Sequence, residues 1–301
     1  MNNKYFAQAD LMLNVLTSMP FENFALKGGT AINFFYENMP RYSVDIDLTW
    51  TKISPRDTAL TDIHNAMKII EQNLKKLNFN TVLLNANKDN PAIKLNVTNQ
   101  NASVIIEPNT TLRGNLLPVE IKELTENSIK TFKLSGSIPC LAYKEVYAGK
   151  LNAMISRQHP RDIFDMYLYL RKNNNIKDLM DCFIAYLAQG NRPFSELLNP
   201  NETDITRIYE TDFNGMTVEK ISIELLIETR KTIFSQVKKH LTNSHKSFLI
   251  SLLLEKPEYH LMPFNNLSSL PAIQWKLQNI SKMSNEKRKE ELLNLEKGLY
   301  L

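Results

Sequence analysis

Asp45 and Asp47 are the residues with the clearest chemical potential. In Ser43-Val44-Asp45-Ile46-Asp47-Leu48-Thr49-Trp50, polar and apolar residues alternate with period two, the pattern of a half-buried strand. Residues i and i+2 of a strand point to one face, so the two carboxylates project together and Ser43 shares that face. Two carboxylates held that close repel each other, and one takes up a proton unless a cation sits between them. Hard divalent ions such as Mg²⁺ or Mn²⁺ accept such oxygen ligands and keep positions for phosphate oxygens. A solvent-exposed strand face explains the same letters, so the surrounding residues must decide.

Those residues supply the other half of a nucleotide site. Gly28-Gly29-Thr30 follows the strand-like run Phe24-Ala25-Leu26 and opens a short helical segment, Ala31–Tyr36. Backbone N–H groups at such a turn can face a phosphate, glycine lets the chain come close to it, and Thr30 adds a hydroxyl donor. Arg41 can pair with a carboxylate or a phosphate, or be an ordinary surface arginine. Glu107 ends the β-branched run Ser103-Val104-Ile105-Ile106. If that run pairs beside Ser43–Trp50, Glu107 completes a three-carboxylate metal platform and can act as general base. An edge glutamate facing water fits too. Pro108, immediately after it, is expected to end the strand early.

A second cluster lies at Tyr147-Ala148-Gly149-Lys150 and Arg157-Gln158-His159-Pro160-Arg161-Asp162-Ile163-Phe164-Asp165. From Lys144 to Lys172 there are six basic and three acidic residues, which concentrates positive charge in a helix–loop–helix. Lys150 is a natural point charge for a phosphate. Asp162 and Asp165, three residues apart, share a helix face, and a salt-bridged helical pair is the simpler account of Asp162. His159 has no ligand partner at helical spacing and is not read as a metal ligand.

The elements that must position these groups fall into two parts. Residues 4–17 and 57–77 carry apolar positions at helical spacing, the latter as Leu60, Ile63, Met67, Ile70, Leu74 and Leu77 after a Ser54-Pro55 start signal. Thr81–Leu84, Ala92–Val97 and Ala102–Glu107 are strand-like. From Leu141 onward the pattern is helical, over 141–156, 162–173, 177–188, 218–240, 244–255 and 285–297; the Lys/Glu-rich stretch Lys287–Glu291 is read as a solvated face. The fold expected is α+β over 1–138, followed by an all-helical domain over 139–301, with the change near Gly136-Ser137-Ile138-Pro139. The 301 residues are 43% hydrophobic and 23% charged, ordinary for a globular chain, and the net charge of +4 permits an anionic partner without demanding one. No run is long enough to span a membrane, the N-terminus lacks a signal-peptide core, and Cys140 and Cys182 match no metal spacing. A cytoplasmic protein with reduced, buried thiols and no membrane partner is expected.

Lys27-Gly28-Gly29-Thr30-Ala31 followed by Arg41-x-Ser43-x-Asp45-Ile46-Asp47-Leu48 resembles the AbiEii/AbiGii (MenT-like) nucleotidyltransferase toxin family. So do the Tyr147–Lys150 and Arg157–Asp165 segments, and Ile106-Glu107-Pro108-Asn109 with Leu112-Arg113-Gly114. The resemblance covers residues 25–170. It implies a polymerase-β-like nucleotidyltransferase lobe followed by a helical lobe, with the site between them. It also implies the toxin half of a toxin–antitoxin pair, of the phage-defence kind, with a cognate antitoxin as partner. MenT-like relatives move a nucleotide from a nucleoside triphosphate, often to the 3′ end of tRNA. Carried over by motif, Asp45, Asp47 and Glu107 would hold Mg²⁺ (or Mn²⁺), and Lys27, Gly28, Gly29, Thr30, Arg41 and Ser43 would bind the nucleotide. Lys150 and Asp165 would complete the catalytic set. Transfer to a protein or small-molecule hydroxyl, and a nucleotide-binding interaction protein without turnover, are the alternatives.

Overall fold

Alternation of buried and exposed side chains builds the sheet that organises the first part of the chain. The structure, a computed structural model, describes residues 3–84 and 93–300. The strands are β1 (Phe24–Lys27), β2 (Asp45–Trp50), β3 (Asn80–Leu84), β4 (Lys94–Thr98), β5 (Ser103–Asn109), β6 (Glu120–Glu123) and β7 (Ser137–Cys140). They form one mixed seven-stranded sheet in the order β3-β4-β5-β2-β1-β7-β6. Ile46 and Leu48 of β2, Leu95 and Val97 of β4, and Val104 and Ile106 of β5 are buried. Helix α1 (Asn3–Ser18) packs on β2, β5 and β7, burying Leu11, Met12, Val15 and Leu16. The opposite parity of the same strands carries Asp45, Ile105, Glu107 and Lys94 and reaches solvent.

The helix over 57–77 appears as α3 (Arg56–Lys76), after the short α2 (Gly28–Ala31), which continues into a π-turn at Ile32–Tyr36. Ile63, Met67, Ile70 and Leu74 form its buried stripe, while Asp57 and Lys75–Lys76 complement the helix dipole at either end. Leu77 departs from expectation: it lies past the last turn and is exposed. Ala92, expected at the start of a strand, lies outside the described residues.

The chain divides into two compact units, residues up to Val146 with Asn214–Lys220, and Tyr147–Phe213 with Ile221–Leu301. Gly136-Ser137-Ile138-Pro139, where a change of domain was expected, instead leads into β7, which pairs with β1 and β6. After α4 (Glu126–Phe132) and β7, the chain passes from the first unit to the second within α5 (Tyr143–Arg157). The helical periodicity read from residue 218 begins only at Ile223, with Ser222 capping the helix through the Leu225 N–H at 3.2 Å. Residues 214–220 belong to the first unit. Tyr42 N–H donates to Met216 O (3.1 Å) and Val218 N–H to Pro40 O (2.9 Å), which ties down the approach to β2.

The second unit is helical: α6 (Pro160–Asn173), then Met180–Gln189, Ile223–His240, Asn243–Leu253, Pro271–Ser281 and Asn285–Tyr300, with shorter turns between. The helix at Pro271, opened by proline at its first position, was not legible from periodicity. Lys287, Lys289 and Glu290 are solvated as expected. No helix among the described residues is long and apolar enough to cross a membrane.

Candidate active site

Three strands bring the acidic and basic groups of the first unit into one row. Lys27, the last residue of β1, is the register partner of Asp47 on β2, and Asp47 is the partner of Glu107 on β5. Asp45 lies two residues back on the same face, beside Ile105. The pairing of β5 with β2 is therefore the one Glu107 needed to join the carboxylate pair. Pro108 does not end the strand. β5 runs to Asn109, and Pro108 lies beyond the last β4 partner, where β5 pairs only with β2 and a missing N–H is tolerated.

The glycine turn is fitted to these side chains. Gly28 has φ +74°, and a Cβ there would lie 2.6 Å from Asp47 Oδ2. A Cβ on Gly29 would lie 2.7 Å from Arg41 Nη2 and 2.9 Å from Ser43 Oγ. Close approach of the turn to Asp47 and to the Arg41–Ser43 segment thus requires both glycines. Thr30 differs from expectation: its buried hydroxyl donates to the Asp45 carbonyl at 2.6 Å, so it holds the strand rather than facing outward. Ser43 is not on the strand, which begins at Asp45; it is buried in the preceding segment, against Gly29. Arg41 is no surface arginine. It is 2% exposed, and Nη1 donates to Tyr42 O at 2.7 Å.

A small cavity of about 160 Å³ is lined by Lys27, Asp47, Glu107, Pro108, Asn109 and Thr110. Burial pushes the Lys27 ammonium below its ordinary value, against the pull of Asp47, Glu145 and Glu107. Glu145 was not singled out by its sequence context. It is buried and accepts the Leu116 and Leu117 N–H groups at 2.9 and 3.0 Å. Lys94 was also missed; its Nζ lies 2.9 Å from Glu107 Oε2. The signal for Lys94 was present, since it alternates with buried Leu95 on a strand next to β5.

Among the described residues, no three acidic, histidine or cysteine side chains converge to enclose a metal ion. Asp45 and Asp47 nevertheless present hard oxygens from one strand face beside a cavity. That fits an ion of the Mg²⁺ type, which is commonly held by one or two carboxylates with water and phosphate oxygens completing its shell.

The second cluster lies within the helical unit. Lys150 of α5 is 7% exposed, and its Nζ lies 2.8 Å from Asp162 Oδ1 and 3.1 Å from Asp165 Oδ2 of α6. Arg157 adds Nε to Asp162 Oδ2 at 2.6 Å and Nη2 to Oδ1 at 3.0 Å. Desolvation would raise the Asp162 carboxyl, but Lys150 and Arg157 outweigh it and hold the group well below the usual carboxylate range. The salt-bridged account of Asp162 therefore holds, within this unit. His159 caps α6: its Nδ1 accepts the Arg161 N–H at 3.1 Å, with Pro160 at the first helical position. Burial, with Arg161 next in effect, pushes this imidazole down to about 4, so it is neutral and able to accept near pH 7. Gln158, at φ +49°, turns the chain between the helices. Its Nε2 donates to Asn201 O at 2.6 Å, and its Oε1 accepts from Arg230 Nη1 at 2.9 Å. Both cysteines are free and buried, and burial pushes the Cys140 thiol up to about 12.

Residues 11–279 match the family described as "Nucleotidyl transferase AbiEii toxin, Type IV TA system". No curated protein sequence matches the chain. Among solved structures, the chain is similar to MenT4, a nucleotidyltransferase toxin from Mycobacterium tuberculosis H37Rv. The TM-score is 0.56 and the identity 14%, over 98% of this chain and 95% of that one. At this identity the likeness is one of fold.

Proposed function

The chain belongs to the AbiEii family of nucleotidyltransferase toxins of type IV toxin–antitoxin systems, and on that premise we propose that it moves a nucleotide from a nucleoside triphosphate to an acceptor hydroxyl, with the 3′ end of tRNA as the acceptor. The observation that carries this proposal is the Gly28–Gly29 turn seated on Asp47, with Asp45 on the same strand face and Glu107 in register. The acceptor hydroxyl gives up its proton to solvent as its oxygen forms a bond to the α-phosphorus, the bond from the α-phosphorus to the bridging oxygen of the β-phosphate breaks, and pyrophosphate leaves. A Mg²⁺ or Mn²⁺ ion held by Asp45 and Asp47 would supply charge stabilisation at the attacking and leaving oxygens.

The chain's own groups have distinct parts. Gly28 and Gly29 let the backbone come close to phosphate, and Thr30 fixes Asp45 through its carbonyl. Lys27 balances the carboxylate charge beside the cavity. Arg41, packed with Ser43 against Gly29, keeps the turn in place. Lys150 serves as a phosphate-binding cation, oriented by Asp162 and Asp165. A cognate antitoxin restrains the toxin.

The test is incubation of the protein with each α-labelled nucleoside triphosphate, Mg²⁺, and total RNA or total protein. Label in RNA of tRNA size, absent when the 3′-terminal diol of the RNA is oxidised before the incubation, supports the assignment. Label in protein moves the acceptor to a protein hydroxyl. No incorporation with any triphosphate refutes transfer.

A further inference from the structure

The sheet row that contains Asp47 carries a charged residue on each of four adjacent strands. Lys27 faces Asp47, and Asp47 faces Glu107. Pairing of Leu95 with Ile106 places Lys94 opposite Glu107, and the two side chains meet at 2.9 Å. The row therefore reads lysine, aspartate, glutamate, lysine, and its charges cancel. Asp45, one row away, is flanked by Ile105 instead, with Asn96 beyond it.

The two lysines are not equivalent. Lys27 ends a central strand, is half-buried, and stands immediately before the tight turn at Gly28. Lys94 and Glu107 have side chains 35% and 45% exposed, and an ion pair this open to water is weak and easily parted. Glutamate has one more methylene than aspartate, and neighbouring strands lie only about 4.8 Å apart. The Glu107 carboxylate can therefore turn from Lys94 toward Asp47 without movement of the backbone. An added divalent ion at Asp45 and Asp47 would leave the row with excess positive charge, and the exposed lysine is the one that can yield.

We propose that Lys94 is a displaceable counter-ion, which neutralises Glu107 in the absence of a divalent ion and releases it as a third ligand when one binds. This rests on Asp45 and Asp47 being the metal ligands. Its consequence is that ion affinity is held down until a triphosphate brings compensating negative charge, so ion and nucleotide are taken up together. Lys94 is then a positioning residue for Glu107.

The experiment measures Mn²⁺ binding to the full chain without nucleotide, by the paramagnetic signal of free Mn²⁺, with circular dichroism as a check on folding. The set is wild type, Lys94→Met, Glu107→Gln, the double variant, and Asp47→Asn. Lys94→Met should tighten binding about two- to fivefold, the range that exposed ion pairs span. Glu107→Gln should weaken binding, and adding Lys94→Met to it should change nothing more. Equal tightening in both backgrounds would make Lys94 a mere distant charge and overturn the proposal, as would no change or weaker binding in Lys94→Met. Asp47→Asn separates the two levels. If it binds Mn²⁺ like wild type, the metal site itself is misassigned; if it loses binding while Lys94→Met is silent, only the role of Lys94 fails.

Discussion

Replacing Lys150 with methionine removes the charge and keeps most of the side-chain volume, so it asks what the buried cluster of α5 and α6 is for. Asp162 and Asp165 are fully buried, and both reach the Lys150 ammonium, at 2.8 and 3.1 Å. Removing one partner of a buried ion pair typically costs about 3–5 kcal/mol, because the remaining charge is left without compensation. Here the loss is shared unequally. Asp162 keeps two contacts to Arg157, whose side chain is 60% exposed. Asp165 loses the ammonium, so Lys150→Met should fall near the lower end of that range. A Lys150→Met/Asp165→Asn double variant also removes the carboxylate that loses the ammonium and should recover part of the loss, giving a coupling of about 1–3 kcal/mol. Urea unfolding at pH 7 measures all three variants, and nucleotide transfer is assayed under conditions where each remains folded. A Lys150→Met loss below about 1 kcal/mol would refute the reasoning, because the ammonium would then not be compensating buried charge. If transfer vanished in that same variant, the ammonium would be acting mainly on substrate.

Asp45→Asn and Asp47→Asn should each lower transfer about a thousandfold or more, since each removes a charge that holds the ion, while far-UV circular dichroism stays unchanged. Near-wild-type label incorporation in both variants would remove the metal-site assignment. Gly28→Ala should destabilise the first unit by about 1–3 kcal/mol, because φ is +74° and the new Cβ would fall 2.6 Å from Asp47 Oδ2; an unchanged melting midpoint would show that the turn can relax. The pH dependence follows from Asp162, whose carboxyl is held below its ordinary value of 3.8 by Lys150 and Arg157 in spite of desolvation. A depressed carboxyl contributes stability that is fully present above 3.8 and is lost as the pH falls through the folded-state value. Acid titration of unfolding free energy should show this loss below about pH 4, and the slope should flatten in Asp162→Asn. An identical slope in that variant would assign acid sensitivity to other groups.

Much of the chemistry was set by local sequence. Alternation in Asp45-Ile46-Asp47 fixes both carboxylates on one face, because side chains on a strand alternate whatever the strand packs against. Glycine at 28 and 29 marks a tight turn on equally local grounds, and the stripe from Ile63 to Leu74 follows from helical geometry alone. The neighbours of those residues are another matter. That Glu107 lies beside Asp47, and Lys94 beside Glu107, depends on which strands pair and in what register, and that is decided by burying the opposite faces of β2, β4 and β5 together. A Thr30 hydroxyl that could have faced a ligand donates instead to Asp45, since its buried position offers that carbonyl at 2.6 Å. Residues 214–220 carried no signal of joining the first unit, because their two backbone hydrogen bonds to Pro40 and Tyr42 draw on groups every residue possesses. Lys150 was visible as a cation, but only the packing of α5 on α6 gave it two buried carboxylates. The sequence alone determined which groups could do chemistry and that Asp45 and Asp47 share a strand face. The tertiary structure decided their partners, because register and desolvation depend on the packing of residues distant in the chain.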